Sequence, residues 1–272
     1  MSLIITSVRP PERFVGFHAH SGFSTFDGLG YPEDHVKFVT SEAQGMDAWA
    51  LTDHGNGNGL AHAHSAAKKV QKAGKKYRQL YGVEFYFVPS LKQWKIDFEA
   101  HKQSVKDAKT AAEAAKKAAI KTDIDADEAE EEEAGGHVVE DENETKADDY
   151  KEKPDWQRRY HLVAVAQTQE GLANINRLVK ASFKDGFYRY PRIDFDLLRK
   201  YGKGIVWSTA CLGGIYSGTI LRGEAYGRSS DQIIADLENL TGQFTEAVDP
   251  DSFFLELQFN KPVSYTHLTL PT

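Results

Sequence analysis

The sequence predicts an α/β fold of parallel strands joined by helical crossovers, and three observations point there. Short apolar runs alternate along the chain with amphipathic, helix-forming stretches, the pattern of successive βα units. His18, His20, His54 and Cys211 fall at or just after the C-terminal ends of predicted strands, and Glu84 falls near one. That rim is where barrels of βα units build their active sites. One acidic, low-complexity tract breaks the alternation and reads as an insertion.

Residues 14–17, Phe-Val-Gly-Phe, read as a buried strand that delivers His18 and His20. Positions two apart on an extended chain face one side, so both imidazoles can grip one metal ion. A bare His-x-His is more often two solvated histidines at a strand end, because the pattern is short. Ser24 and Asp27 follow in a glycine-bounded loop that lets a carboxylate fold back over the same spot. Residues 32–44 suit a helix, with Pro32 in its first turn and Gly45 past its end. A buried strand at 48–52 ends in Asp53-His54 and a run of glycines. That run lacks the lysine-serine ending of a P-loop and GxGxxG spacing, so it reads as a tight turn exposing His54. A helix at 60–72 carries His62 and His64, which point to different sides and read as surface residues. The strand at 78–88 sets Glu84 among apolar neighbours, where a carboxylate needs a partner. A salt bridge and a metal ion both satisfy that need.

Residues 99–120, rich in Ala and Lys with Glu113 and Lys117 spaced i, i+4, suit a solvated helix. Residues 121–153 cannot bury enough surface to fold. Together they define an insertion at about 95–155, carried on a loop. The alternation resumes with a strand at 160–166 and a helix at 168–183 striped by Leu172, Ile175, Leu178 and Val179. A short helix at 194–200, a strand at 204–208 leading to Cys211, a helix at 230–244 and a strand at 253–258 complete the chain. On these bounds His161 sits near the start of its strand, out of step with the other candidates.

The 272 residues can bury one sizeable core or two small ones. The net charge of −7 is misleading, because residues 121–150 hold 14 acidic and 2 basic side chains. Outside that segment 31 basic residues face 26 acidic ones, which neither announces nor excludes a nucleic-acid binder. No apolar stretch approaches the length of a membrane span, and residues 1–11 lack the regions of a signal peptide. A lone cysteine, Cys211, cannot form an internal disulfide and fits a reducing cytoplasm.

In order along the chain, HAHSGFSTFDG, TDHGN, GVEFY, YHLVAVAQ, YPRID and STACLGG resemble the polymerase-and-histidinol-phosphatase (PHP) domain family. More narrowly, they resemble the version that opens bacterial replicative DNA polymerase III α subunits. The resemblance covers about residues 14–90 and 158–260 and gives a PHP domain at 1–260. It implies a distorted (β/α)7 barrel, one strand short of a TIM barrel, with up to three divalent metals at its rim. Position by position, it makes His18 and His20 the opening ligands, followed by Asp27, His54, the bridging carboxylate Glu84, His161 and Cys211. Zinc suits the His/Cys ligands, and manganese or magnesium the carboxylate-rich part. Related phosphatases usually carry histidine where Cys211 stands, whereas the polymerase version commonly has cysteine. Two departures stand out. The family's closing Asp-x-His pair is missing, and residues 261–272 match nothing in the family, so they are expected to be a non-native tail whose His267 is no ligand. The polymerase palm is absent too, which implies a truncated chain; the Asp194/Asp196 pair of RIDFD is expected to be structural.

The function so implied is metal-dependent phosphodiester hydrolysis, a 3′–5′ exonuclease resting on His18, Glu84 and His54. Its implied partners are DNA, the remainder of the polymerase chain and other replisome subunits, with no membrane. The alternatives are a non-catalytic module bracing a polymerase and a free-standing phosphatase. A nucleophilic Cys211 with His161 as base is weaker, since no GxCxG elbow surrounds the cysteine.

Overall fold

The computed structural model describes residues 14–25, 27–122 and 155–258. Most element ends are set by local hydrogen-bond chemistry. Helix α1 (Pro32–Val39) opens with proline, and the Tyr31 N–H before it donates to the Asp34 carboxylate. Strand β1 (Ala48–Leu51) leads through the glycine turn to α2 (Leu60–Lys72), and β2 (Arg78–Phe87) to the long α3 (Leu91–Thr122). A single turn at Asp155–Gln157 precedes β3 (Tyr160–Ala166). Helix α4 (Gln169–Asp185) is capped by the Thr168 hydroxyl, which accepts from the Gly171 N–H. Strands β4 (Phe187–Tyr188) and β5 (Tyr190–Ile193) lead to α5 (Phe195–Tyr201), where the Asp194 carboxylate accepts from the Leu197 N–H. Strand β6 (Ile205–Ser208), α6 (Ile215–Ala225), α7 (Ser230–Ala247) and β7 (Phe253–Phe254) follow. None of the helices among the described residues is long and apolar enough to cross a membrane.

Among the described residues the seven strands form one sheet, in the order β4-β5-β2-β3-β6-β7, with β1 also on β2. The pairs β1·β2, β2·β5 and β6·β7 are parallel, as expected. The pairs β2·β3, β3·β6 and β4·β5 are antiparallel, so the expectation of uniformly parallel strands is corrected. The reason is the connection after β2. The chain leaves β2 at Phe87 and re-enters the sheet at Tyr160, directly opposite Phe87, so β3 must run the other way. This reversal brings the start of β3, with His161, to the end of the sheet where β2 finishes. It removes the discrepancy noted for that histidine.

Alternation along the strands separates two faces. Val83, Phe85, Phe87, Leu162, Ala164, Ile205 and Trp207 pack against α4, α5 and α7 through Ile175, Leu178, Leu198 and Phe244. Each such large side chain, fully buried, contributes about 1.5–3 kcal/mol. On the opposite face Ala50, Val163, Val165 and Ala210 form a smaller apolar floor, with Leu80 packed against it. The residues next in line on that face, beyond the floor, are the polar ones of the candidate site.

Several bounds differ from the sequence reading. Residues 14–17 are not a buried strand: Phe14 and Phe17 are 61% and 41% exposed. The backbone there still pairs with β1 through an Ala50 N–H to Gly16 carbonyl bond. Helix α1 stops at Val39, where the Thr40 hydroxyl donates to the Val36 carbonyl. Strand β7 is short because the chain turns toward the site, the Glu256 N–H donating to the Thr209 hydroxyl. Helix α6 and the β4–β5 pair were not expected. Helix α3 is solvent-exposed over 102–114, as expected, but its base is anchored: Trp94 and Phe98 pack against Trp156 and Tyr188. His101 stacks on Trp156, and the Trp94 indole donates to the Trp156 carbonyl. The proposed insertion bounds of 95–155 therefore cut through a packed cluster. The acidic run at 121–153, apart from residues 121 and 122 at the end of α3, lies outside the described residues, as do residues 261–272.

Candidate metal centre

Glu84 is the centre of the site. Its side chain is fully buried on the inner face of β2, one step above the apolar floor, opposite Val163. His54 lies beside it through a parallel bridge, with the Gly55 N–H donating to the Glu84 carbonyl and the Glu84 N–H to the Asp53 carbonyl. His161 is carried by β3, and its backbone N–H donates to the Gly213 carbonyl.

Four imidazoles converge on the one carboxylate. Glu84 Oε2 lies 3.1 Å from His18 Nε2, 2.9 Å from His20 Nε2 and 3.2 Å from His54 Nδ1. Glu84 Oε1 lies 3.0 Å from His161 Nδ1. Asp27 closes the other side, its Oδ2 2.6 Å from His54 Nε2 and 3.6 Å from His20 Nε2. Cys211 Sγ stands 3.5 Å from His161 Nδ1. All seven residues singled out in the sequence thus meet in one place, while His62 and His64 lie outside it. Those two are exposed on α2, paired with Glu33 and with the Tyr81 hydroxyl.

The loops are held by a second polar cluster. The buried Asp53 carboxylate accepts from the Ser21 N–H at 2.7 Å and from the hydroxyls of Ser21 and Ser24. The Ser24 hydroxyl in turn accepts from the His54 N–H. The loop carrying His20 and Asp27 is thereby tied to the turn carrying His54. Gly28 closes this loop, because a Cβ there would stand 1.9 Å from the Ser21 carbonyl. Before Cys211, Ala210 adopts φ 59°, a left-handed conformation that costs an alanine about 1–2 kcal/mol and curls the chain over His161.

The electrostatics are those of a tightly coupled cluster. Burial alone would raise the Glu84 carboxyl, but His161, His18 and His20 outweigh it and hold it well below the usual carboxylate range. Burial opposes charge on His18, yet Glu256 and Glu84 together push it up to about 10. His161 is likewise pushed up to about 10 against burial, by Cys211 and Glu84. His54 is lowered, chiefly by burial.

The residues present fit divalent cations. Ligand atoms of His18, His20 and Glu84, of His20, Asp27 and His54, and of His54, Glu84 and His161 lie within 4.8 Å of one another in each trio. Glu84, His20 and His54 each belong to two trios, and of these the two-oxygen carboxylate of Glu84 is the group that could serve two cations. Both Glu84 oxygens and the Nδ1 atoms of His20 and His54 are buried without a hydrogen bond of acceptable geometry. The carboxylate is neutralised by the surrounding imidazoles here, and the same close set of ring nitrogens and carboxylate oxygens suits divalent cations.

Sequence reasoning missed one member of the site. Glu256, just past β7, places Oε1 2.8 Å from His18 Nδ1 and accepts from the Ser208 hydroxyl through Oε2. Its only signal was its place in the alternating run Phe-Phe-Leu-Glu-Leu-Gln, where alternate residues share a face.

The PHP domain family description matches residues 16–260 of this chain. DNA polymerase III subunit alpha of Borreliella burgdorferi is 27% identical over 249 residues, which cover 91% of this chain and 15% of that protein. The subunit of the same name from Aquifex aeolicus is 26% identical over 247 residues, covering 91% of this chain and 16% of its own length. The one from Helicobacter pylori is 42% identical over a shorter stretch of 67 residues, 25% of this chain and 6% of that protein. The chain thus spans less than a fifth of the length of these relatives. The solved structure of a candidate metal-dependent phosphoesterase from Bifidobacterium adolescentis covers 89% of this chain and 87% of its own, at a TM-score of 0.36 and 12% identity. The coverage is broad but the likeness is slight.

Proposed function

This chain belongs to the PHP domain family, and from that premise we propose that it is the N-terminal part of a DNA polymerase III α subunit whose PHP site hydrolyses phosphodiesters, with 3′ ends of DNA as substrate. The observation that carries the reading is the buried Glu84 ringed by His18, His20, His54 and His161 at 2.9–3.2 Å. Divalent cations held there would acidify water toward neutral pH and offset the charge growing on a leaving oxygen.

The chain's own residues supply the frame. Glu84 lies between two of the ligand trios, so it fixes their separation as well as their charge. Asp27 has a side chain 35% exposed and lies at the mouth, where incoming substrate meets the cluster. Cys211 and His161 offer a softer corner suited to zinc, and the Asp27 and Glu84 side suits manganese or magnesium. The ends of the sheet converge on the site through the Glu256–His18 contact, which supports reading the fold as a distorted seven-stranded barrel. DNA, the rest of the polymerase chain and other replisome subunits are the partners this reading assigns, and the cytoplasm its compartment.

The test is release of 3′-terminal nucleotides by a metal-loaded chain extended to the length of its polymerase relatives. His18→Ala and Glu84→Ala each abolish it, while His62→Ala leaves it within about twofold, because His62 lies outside the cluster. Activity persisting in both ligand variants would show the site misassigned. No activity in the intact, loaded parent would leave a structural module in place of an enzyme.

A further inference from the structure

We infer that Glu256, which lies outside the predicted ligand set, is a positioning carboxylate that fixes the ring of His18 so that Nε2 faces a bound cation. The inference rests on the metal reading above. An imidazole that binds a metal through one nitrogen donates its other N–H to a partner, and that partner decides which tautomer is present. His18 has this arrangement: Nε2 points at Glu84, 3.1 Å from Oε2, and Nδ1 points away from the cluster at Glu256 Oε1, 2.8 Å off and nearer than Gln258 Nε2 at 3.3 Å. With a proton held on Nδ1 by that carboxylate, Nε2 is the nitrogen that would give up its proton in exchange for a cation.

Glu256 is itself held on all sides. Its Oε2 accepts from the Ser208 hydroxyl at 2.5 Å, its backbone N–H donates to the Thr209 hydroxyl at 2.9 Å, and Gln258 Nε2 donates to Oε1 at 2.6 Å. Ser208 is the last residue of β6, so the carboxylate is fixed by the sheet and not by the loop that carries His18. Among the described residues, none of the trios able to hold a cation includes Glu256, which separates its role from that of a ligand. A chain Ser208–Glu256–His18 thus runs from one end of the sheet to the cluster and ties the termini of the fold at the site.

Zinc affinity of the 272-residue chain, measured by competition with a chromogenic chelator, tests this. Glu256→Ala is expected to weaken zinc binding about 10–100-fold, the usual effect of removing such an outer partner. Glu256→Gln keeps an acceptor oxygen but loses the charge, and is expected to fall between parent and alanine variant. Ring-nitrogen NMR shifts of His18 in the zinc-loaded parent should show the proton on Nδ1, and that pattern should be lost in the alanine variant. Affinities of both variants within twofold of the parent, with the His18 signals unchanged, would overturn the role of Glu256. If Glu256→Ala does not fold, Glu256→Gln decides by the same two readouts. A parent that binds no zinc would instead overturn the metal reading itself.

Discussion

Replacing Glu84 by glutamine keeps the side chain's volume and removes its charge, which isolates the electrostatic role of the cluster's centre. The carboxylate is fully buried, and four ring nitrogens stand 2.9–3.2 Å from it. At an effective dielectric of about 20, one unit pair at about 3 Å is worth roughly 5 kcal/mol of gross attraction, most of it offset by desolvation. Breaking a buried pair by removing one partner costs about 3–5 kcal/mol net. Imidazoles can shed their protons once the carboxylate has gone, so about 3 kcal/mol is expected in the metal-free protein. For a chain of this size that lowers Tm by about 6–12 °C. The assay is thermal melting followed by circular dichroism, with a chelator present, for parent and Glu84→Gln. In a parallel titration the variant should lose nearly all zinc affinity. A Tm change below about 2 °C together with retained zinc affinity would refute Glu84 as the organising group.

Asp53 ties the His20–Asp27 loop to the His54 turn through its bonds to Ser21 and Ser24, so Asp53→Ala should lower stability by about 3–5 kcal/mol in urea titrations. It should also weaken zinc binding although Asp53 touches no candidate ligand side chain. Unchanged affinity would show that the two loops hold their places without it. Deleting 102–154 should leave Tm within about 2 °C, since residues 102–114 are exposed. Deleting 95–155 should cost several degrees more, because Phe98 and His101 pack on Trp156. Equal melting of the two deletions would show that this aromatic cluster contributes nothing to the fold.

What the sequence made legible follows from which physical signals are local. Helix α2 was readable to the residue, 60–72, because a glycine run ends where an unbroken stretch of helix formers begins. The candidate ligands were legible as a set only through the resemblance to the PHP family; the residues alone signalled a His-x-His pair and a carboxylate among apolar neighbours that needs a partner. Strand direction was not readable: Tyr160–Ala166 has the same composition whichever way it runs, and the pairing of Tyr160 with Phe87 decides it. Phe14 and Phe17 misled because an apolar run reads as buried, whereas among the described residues no layer covers this short edge segment. Helix α6 was missed because Gly213 and Gly214 precede it and Gly218 and Gly223 lie within it, which lowers helical propensity. In compensation, Gly218 and Gly223 sit against Tyr160 and Ile233, where a Cβ would collide. Glu256 gave almost no signal, since a glutamate in an alternating strand ordinarily faces water.

Anomalous diffraction from crystals of this chain grown with zinc or manganese shows directly whether Glu84 and the imidazoles around it hold cations. Anomalous peaks are expected between Glu84 and the ring nitrogens of His18, His20, His54 and His161, and are expected to be lost in Glu84→Gln crystals. Well-ordered Glu84 and histidine side chains with no peak within bonding distance of any of them, at metal concentrations well above micromolar, would contradict the metal reading.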